Sequence, residues 1–210
     1  MMNTFNFPPC IAPLGFYAVV PSVEWVARCV DAGADTIQLR NKDLQGEDLR
    51  AAIQACVDLT RNSDSQFFVN DYWQLAIECG AYGVHLGQED MVAADLAVIA
   101  SAGLRLGIST HSSEEMALAL KIRPSYVACG PIYATTTKEM AASPRGLERL
   151  RAYVEQAGDT PTVAIGGIDL ARTPDVLSTG VSSIAVVRGV TEAEDHHAAI
   201  SAFKALFPHS

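Results

Sequence analysis

From end to end the chain alternates short β-rich runs with longer helical patterns, and that alternation constrains its fold more than any other feature. The runs expected as strands are 16–20, 36–40, 66–70, 83–86, 104–108, 126–129, 162–165 and 183–187. Helical periodicity follows each of them, at 22–32, 47–61, from Tyr72, from Val92, at 112–121, 144–156, 171–178 and 194–207. Parallel strands need crossover connections, and those crossovers are right-handed, so eight β-then-α units predict a parallel sheet covered by helices. Eight such units close into a (β/α)₈ TIM barrel, for which 210 residues is short. An open doubly wound sheet is the competing architecture. Three features favour the barrel: uniform units, no Gly-x-Gly-x-x-Gly after the first strand, and polar residues clustered after nearly every strand. Residues 1–14 are expected as an N-terminal extension and 15–210 as one barrel domain, since no linker or low-complexity segment interrupts them.

Charge and composition then remove several classes of function. A net charge of −9 argues against a general nucleic-acid binder, which needs a broad basic surface, though not against a small basic pocket for a phosphorylated metabolite. No apolar run approaches the roughly 20 residues that cross a bilayer. The first 13 residues lack a basic region and an apolar stretch, so no signal peptide and no membrane partner are expected. The five cysteines are odd in number and scattered, with no Cys-x-x-Cys. They are expected as small buried hydrophobes in a reducing cytoplasm rather than as disulfides or zinc ligands. Whether copies assemble into a homo-oligomer is left open by the sequence.

In such a barrel the ligand site lies at the C-terminal ends of the strands. Side chains alternate along a strand, so Ile37 and Leu39 are expected toward the helices, and Gln38, Arg40 and Lys42 toward the mouth. Two cations and an amide suit a diphosphate; a solvated loop with Arg40 paired to Asp43 is the alternative. Asn70-Asp71 and Asp90 follow the neighbouring third and fourth strands. Two carboxylates there can share an Mg²⁺ ion, or each can cap the helix that follows. After the fifth strand, Ser109 can donate to a ligand, and Ser112-x-x-Glu115 has the form of a capping box. His111 suits either acid–base work or a local hydrogen bond, and His85 a satisfied buried position. Thr135, Thr136, Thr137 and Lys138 form a hydroxyl-rich loop that can grip phosphate and act as a lid, or be an ordinary surface loop. Gly166-Gly167 and Val187-Arg188 fall where barrels bind phosphate through backbone N–H groups.

Taken in order, six segments resemble the thiamine-phosphate synthase family. They are Gln-Leu-Arg-x-Lys at 38–42, Asn-Asp at 70–71, and Gly-Val-His-Leu-Gly-Gln-Glu-Asp at 83–90. The others are Gly-Ile-Ser-Thr-His at 107–111, Gly-Pro-Ile-Tyr-x-Thr-x-Thr-Lys at 130–138 and Ala-Ile-Gly-Gly-Ile at 164–168. The resemblance implies a (β/α)₈ barrel that joins 4-amino-2-methyl-5-hydroxymethylpyrimidine diphosphate to 4-methyl-5-hydroxyethylthiazole phosphate. Thiamine phosphate and diphosphate are the products, and Mg²⁺ is required. It implies Gln38, Leu39, Arg40, Asn41, Lys42, Asn70, Ser109 and Lys138 as contacts of the pyrimidine diphosphate, and Asp71 and Asp90 as Mg²⁺ ligands. Arg40, Lys42, Lys138 and Ser109 are the implied catalytic set. Thr135 to Thr137, Gly167 and the Val187-Arg188 peptide are implied around the thiazole phosphate. The family commonly has Ser where this chain has Arg188, and Ala-Ile where it has Gly189-Val190.

The implied chemistry is electrostatic and positional. A thiazole nitrogen has its own lone pair and needs no base, while a departing diphosphate develops negative charge. Two rivals share the barrel: a tautomerase using His111 as acid–base, and a silent sensor of thiamine phosphates. The first needs no diphosphate site, and Arg188 is the feature that favours the second.

Overall fold

All eight expected strands are present, and each pairs in parallel with its sequence neighbour until the eighth closes on the first. The computed structural model describes residues 5–134 and 146–207. The strands are β1 Phe16–Val20, β2 Thr36–Leu39, β3 Gln66–Asn70, β4 Gly83–Leu86, β5 Arg105–Thr110, β6 Tyr126–Cys129, β7 Thr162–Ile165 and β8 Ser183–Val186. Among the described residues the helices are α1 Val23–Asp31, α2 Gly46–Thr60, α3 Trp73–Glu78, α4 Gln88–Ala93, α5 Leu96–Ser101, α6 Ser113–Ile122, α7 Gly146–Ala157, α8 Thr173–Leu177, α9 Arg188–Thr191 and α10 His196–Lys204. No helix among the described residues is long and apolar enough to cross a membrane.

Strand alternation separates two cores. Outward residues such as Ile37, Leu39, Phe67, Val69, Leu106 and Ile108 pack against the helices. Each is at least 98 % buried, so truncating one to Ala costs about 2–5 kcal/mol. Inward residues Tyr17, Val19, Phe68, Tyr126, Ala128, Val163 and Ala185 fill the barrel. Interior aromatics need empty space across the sheet, and glycine provides it. Gly83 is the register partner of Phe68, and Gly107 of Tyr126. A Cβ on Gly83 would lie 2.4 Å from the Phe68 ring, and one on Gly107 2.1 Å from the Tyr126 ring.

Helix starts follow their side-chain chemistry. Ser22 accepts from Trp25 N at 3.4 Å, Asp95 from Ala97 N and Val98 N at 3.1 Å, and Asp195 from Ala198 N at 2.9 Å. The fourth unit departs from expectation. Its helix begins at Gln88, earlier than Val92, and a second helix, α5, precedes β5. Gly87 is the N-cap of α4, so Asp90 lies in a helical first turn rather than on a loop. Residues 5–14 cross the N-terminal ends of the strands. There Ser125 Oγ donates to Pro8 O at 2.7 Å, Gln66 Nε2 to Pro13 O at 3.2 Å and Thr36 Oγ1 to Leu14 O at 2.7 Å. Cys29, Cys56, Cys79 and Cys129 are buried and Cys10 is half-buried; none is disulfide-bonded.

Candidate active site

The C-terminal ends of the strands enclose a cavity of about 660 Å³. Gln38, Arg40, Lys42, Asn70, Asp71, Asp90 and Ser109 line one side, and Gly167, Val187 and Arg188 the other. Two residues of the β2 segment do not line it. Leu39 is buried on the helix side, as alternation requires. Asn41 shapes the loop: its Nδ2 donates to Pro21 O at 2.8 Å, and its Oδ1 accepts from Asp43 N at 3.0 Å and Leu44 N at 2.7 Å. Thr135, Thr136, Thr137 and Lys138 lie outside the described residues.

The β2 end continues past the strand, since Arg40 N donates to Val20 O at 2.8 Å. That keeps Gln38 and Arg40 on the same side of the backbone. Among the described residues no ion pair joins Arg40 to Asp43. Both Arg40 and Lys42 instead act electrostatically on Asp71.

Asp71 turns sharply. Its N–H extends the ladder to His85 O at 2.9 Å, and its φ is 67°. Left-handed backbone is uncommon for a non-glycine residue, though Asp tolerates it better than most. The turn brings the carboxylate into the cavity, where Asn70 Nδ2 donates to Oδ2 at 2.6 Å. The helix that follows has no side-chain cap, so Asp71 does not serve as one. Across from it stands Asp90. Burial, Asp90's charge and a hydrogen bond between the carboxyls raise Asp71 to about 6, while Arg40 and Lys42 pull the other way. Asp71 therefore holds its proton to a higher pH than an ordinary carboxyl. The pair is the place among these residues where a cation fits, and all of its donors are hard oxygens.

His111 lines the cavity, but Glu115 engages it twice: the carboxylate accepts from His111 N at 2.6 Å and lies 3.0 Å from Nδ1. Ser112 Oγ accepts from Glu115 N at 3.1 Å. The capping box thus forms with its return bond one residue early. His85 is buried, with Nδ1 2.8 Å from Tyr126 Oη and Nε2 2.8 Å from Ser109 Oγ. Burial pushes Cys10 to about 11 and Cys29, Cys56 and Cys129 to about 12, so these thiols stay protonated and are poor nucleophiles.

Beyond β6 and β7 the ladder runs on into the loops. Ile132 N donates to Ile165 O and Tyr133 N to Gly166 O, each at 3.0 Å. Only glycine permits this approach. Gly166 and Gly167 have φ of 104° and 66°, and a Cβ on either would come within 2.6 Å of the β6 segment. Arg172, which no sequence pattern singles out, ties the two loops together. Its Nη1 donates to Gly167 O at 2.6 Å, its guanidinium stacks 4.6 Å from the Tyr133 ring centre, and Asp169 lies 3.6 Å away. Tyr17 and Tyr126 are not among the residues expected at the site either; strand alternation alone places both inside the barrel.

Known proteins resemble this chain in sequence and in fold. The family model described as thiamine monophosphate synthase matches residues 16–190. A thiamine-phosphate synthase of Neisseria meningitidis serogroup B is 59 % identical over 202 residues, covering 96 % of this chain and 98 % of that protein. One from Escherichia coli O1:K1 is 54 % identical over 190 residues, 90 % of each. The solved structure of a thiamine phosphate pyrophosphorylase from Pyrococcus furiosus superposes with a TM-score of 0.82 at 35 % identity, covering 92 % of this chain and 95 % of that one. With its closed parallel barrel and a sequence match spanning nearly its whole length, the chain belongs to the thiamine monophosphate synthase family.

Proposed function

We infer that this chain is a transferase. It joins 4-amino-2-methyl-5-hydroxymethylpyrimidine diphosphate to 4-methyl-5-hydroxyethylthiazole phosphate, releasing diphosphate and forming thiamine phosphate. The observation that carries the reading is the facing Asp71–Asp90 carboxylate pair on one rim with Arg40 and Lys42, inside a cavity whose far wall is the Gly167 and Val187-Arg188 backbone.

These residues fit Mg²⁺. No group of three or more His, Cys, Asp or Glu ligands occurs among the described residues. Mg²⁺ needs no such cage, because it is held by one or two carboxylates and completes its shell with water and substrate phosphate. Asp71 and Asp90 would hold it, and when bound it offsets charge on the departing diphosphate.

The chain's own groups do the rest. Arg40 presents a planar fork and Lys42 a compact charge to the leaving group, so negative charge developing on its oxygen meets fixed cations. Gln38, Asn70 and Ser109 orient the pyrimidine. On the far wall, backbone N–H groups of Gly167 and the 187–188 peptide, with Arg188 adding charge, hold the thiazole phosphate so that the ring nitrogen faces the methylene carbon. The C–O bond breaks as diphosphate leaves, and the nitrogen lone pair forms the new C–N bond. No protein base takes part. Glu115's hold on His111 favours this reading over proton shuttling by that histidine. The setting is the cytoplasm, where five unpaired thiols remain reduced.

Purified protein given both substrates and Mg²⁺ is expected to form thiamine phosphate and diphosphate in equal amounts. Binding of both substrates without product would overturn the assignment and leave a sensor.

A further inference from the structure

An unbroken hydrogen-bond chain crosses the barrel at the floor of the cavity, and the mechanism above uses only its two ends. Gln38 Nε2 donates to Tyr17 Oη at 3.0 Å, and Tyr17 Oη lies 2.7 Å from Tyr126 Oη. Tyr126 Oη lies 2.8 Å from His85 Nδ1, and His85 Nε2 lies 2.8 Å from Ser109 Oγ. Only the two ends, Gln38 and Ser109, were assigned to substrate above. The three links between them are buried, and both phenols keep their protons because burial opposes the phenolate.

Donor counting gives the chain a direction. Each hydroxyl has one proton to give, and a neutral imidazole has one. The Gln38 amide nitrogen donates and cannot accept, so the only arrangement that keeps the Tyr17 proton within the chain sends it to Tyr126 Oη; the reverse would leave that proton with no acceptor in the chain. The Tyr126 proton then goes to His85 Nδ1, which puts the ring proton on Nε2, facing Ser109 Oγ. Ser109 Oγ has accepted, and its own proton is left for the cavity. We propose that Tyr17, Tyr126 and His85 form a positioning relay. It holds Ser109 as a hydrogen-bond donor to the pyrimidine diphosphate and leaves Gln38 its carbonyl oxygen as an acceptor for the same substrate. The substrate named here rests on the function inferred above; the direction of the relay does not. A relay so placed reads an aminopyrimidine by offering one donor and one acceptor to a ring that carries both. The space the relay needs is built into the sheet, since Gly107 faces Tyr126 and any Cβ there would strike its ring.

Two measurements test it. Full-length protein labelled with ¹⁵N-histidine, free of substrate at pH 7.5, is expected to show His85 neutral with its proton on Nε2. The signal is assigned by its loss in His85→Gln. A proton on Nδ1, or on both nitrogens, would reverse or abolish the direction and overturn the relay. In turnover, Tyr126→Phe keeps the ring and removes the link. It is expected to raise KM for the pyrimidine diphosphate about tenfold while KM for the thiazole phosphate stays within about twofold. Ser109→Ala added to Tyr126→Phe should cost much less than it costs alone, because the two act through one bond. Equal KM changes for both substrates, or fully additive losses, would sink the proposal. Absence of product from the unmodified protein would instead remove the inferred function, leaving the tautomer result to stand or fall separately.

Discussion

The two ends of the barrel treat their polar groups in opposite ways. At the N-terminal end several donors, among them Ser125, Gln66, Thr36 and Arg105, have partners on the crossing segment. Tyr82 Oη accepts from Ile11 N at 2.8 Å and donates to Gln66 Oε1 at 2.6 Å, and Arg105 Nε reaches Pro9 O at 3.2 Å with its guanidinium over Tyr82. At the C-terminal end like charges face each other. Asp71 and Asp90 repel, and among the described residues Arg40, Lys42 and Arg188 close no ion pair. One end is satisfied by the protein itself, and the other keeps charge in reserve for ligands. Stability and activity should therefore separate along the barrel axis.

The sharpest break in that contrast is Asp90→Ala. Turnover is expected to fall by about 10³-fold or more while circular dichroism keeps its barrel signature, because the carboxylate proposed to hold the metal is lost and no core contact is. Mg²⁺-dependent activity surviving in this variant would remove Asp90 from the site. The opposite end gives the converse. Ser125→Ala deletes the donor to Pro8 O and leaves Leu106 N, 2.9 Å from Ser125 Oγ, without its acceptor. It should cost about 1–3 kcal/mol in denaturant unfolding and leave kcat unchanged.

Asp71→Asn should move the two properties in opposite directions, with activity lost and the metal-free protein gaining stability. The sign follows from the raised carboxyl. A folded-state value of about 6, above the ordinary 3.8, means the native protein binds this proton more tightly than the unfolded chain does. Stability is then fully present below the unfolded value and is lost as pH rises through about 6. The variant should gain about 1 kcal/mol above that pH, a figure reduced for solvent screening, and the gain should vanish toward pH 4. A loss of stability at pH 7.5 would contradict the repulsion. Smallest is Arg172→Ala, which unties Tyr133 from Gly167. A rise of about three- to tenfold in KM for the thiazole phosphate, with KM for the pyrimidine diphosphate unchanged, would place the clamp on that side of the cavity.

What was legible in the sequence divides along similar lines. Local periodicity was enough for the barrel, and period-two alternation at residues 36–40 correctly sent Ile37 and Leu39 to the helices and Gln38 and Arg40 to the mouth. Asp71 was ambiguous because an Asp before a helix is a good cap in isolation. Its left-handed backbone, which aims the carboxylate elsewhere, depends on the bond to His85 O made only when β3 and β4 pair. The helical setting of Asp90 was hidden by the shortness of α4, whose six residues carry little periodicity. The floor relay and the N-terminal seal join residues as far as 109 and 117 positions apart. Closure of the barrel creates those contacts, and no local pattern records them. Arg172 had no signal of its own, since an arginine after Asp169 is an ordinary surface pair until the loops meet.

Asp71 and Asp90 are together proposed to hold the metal that, with Arg40 and Lys42, receives the diphosphate. A crystal structure of the protein with Mg²⁺ and diphosphate tests this proposal most directly. One ion is expected about 2.1 Å from a carboxylate oxygen of each aspartate, with diphosphate oxygens completing its shell and reaching Arg40 and Lys42. Diphosphate bound instead against Gly167 and Arg188, with no metal at the two aspartates, would contradict it.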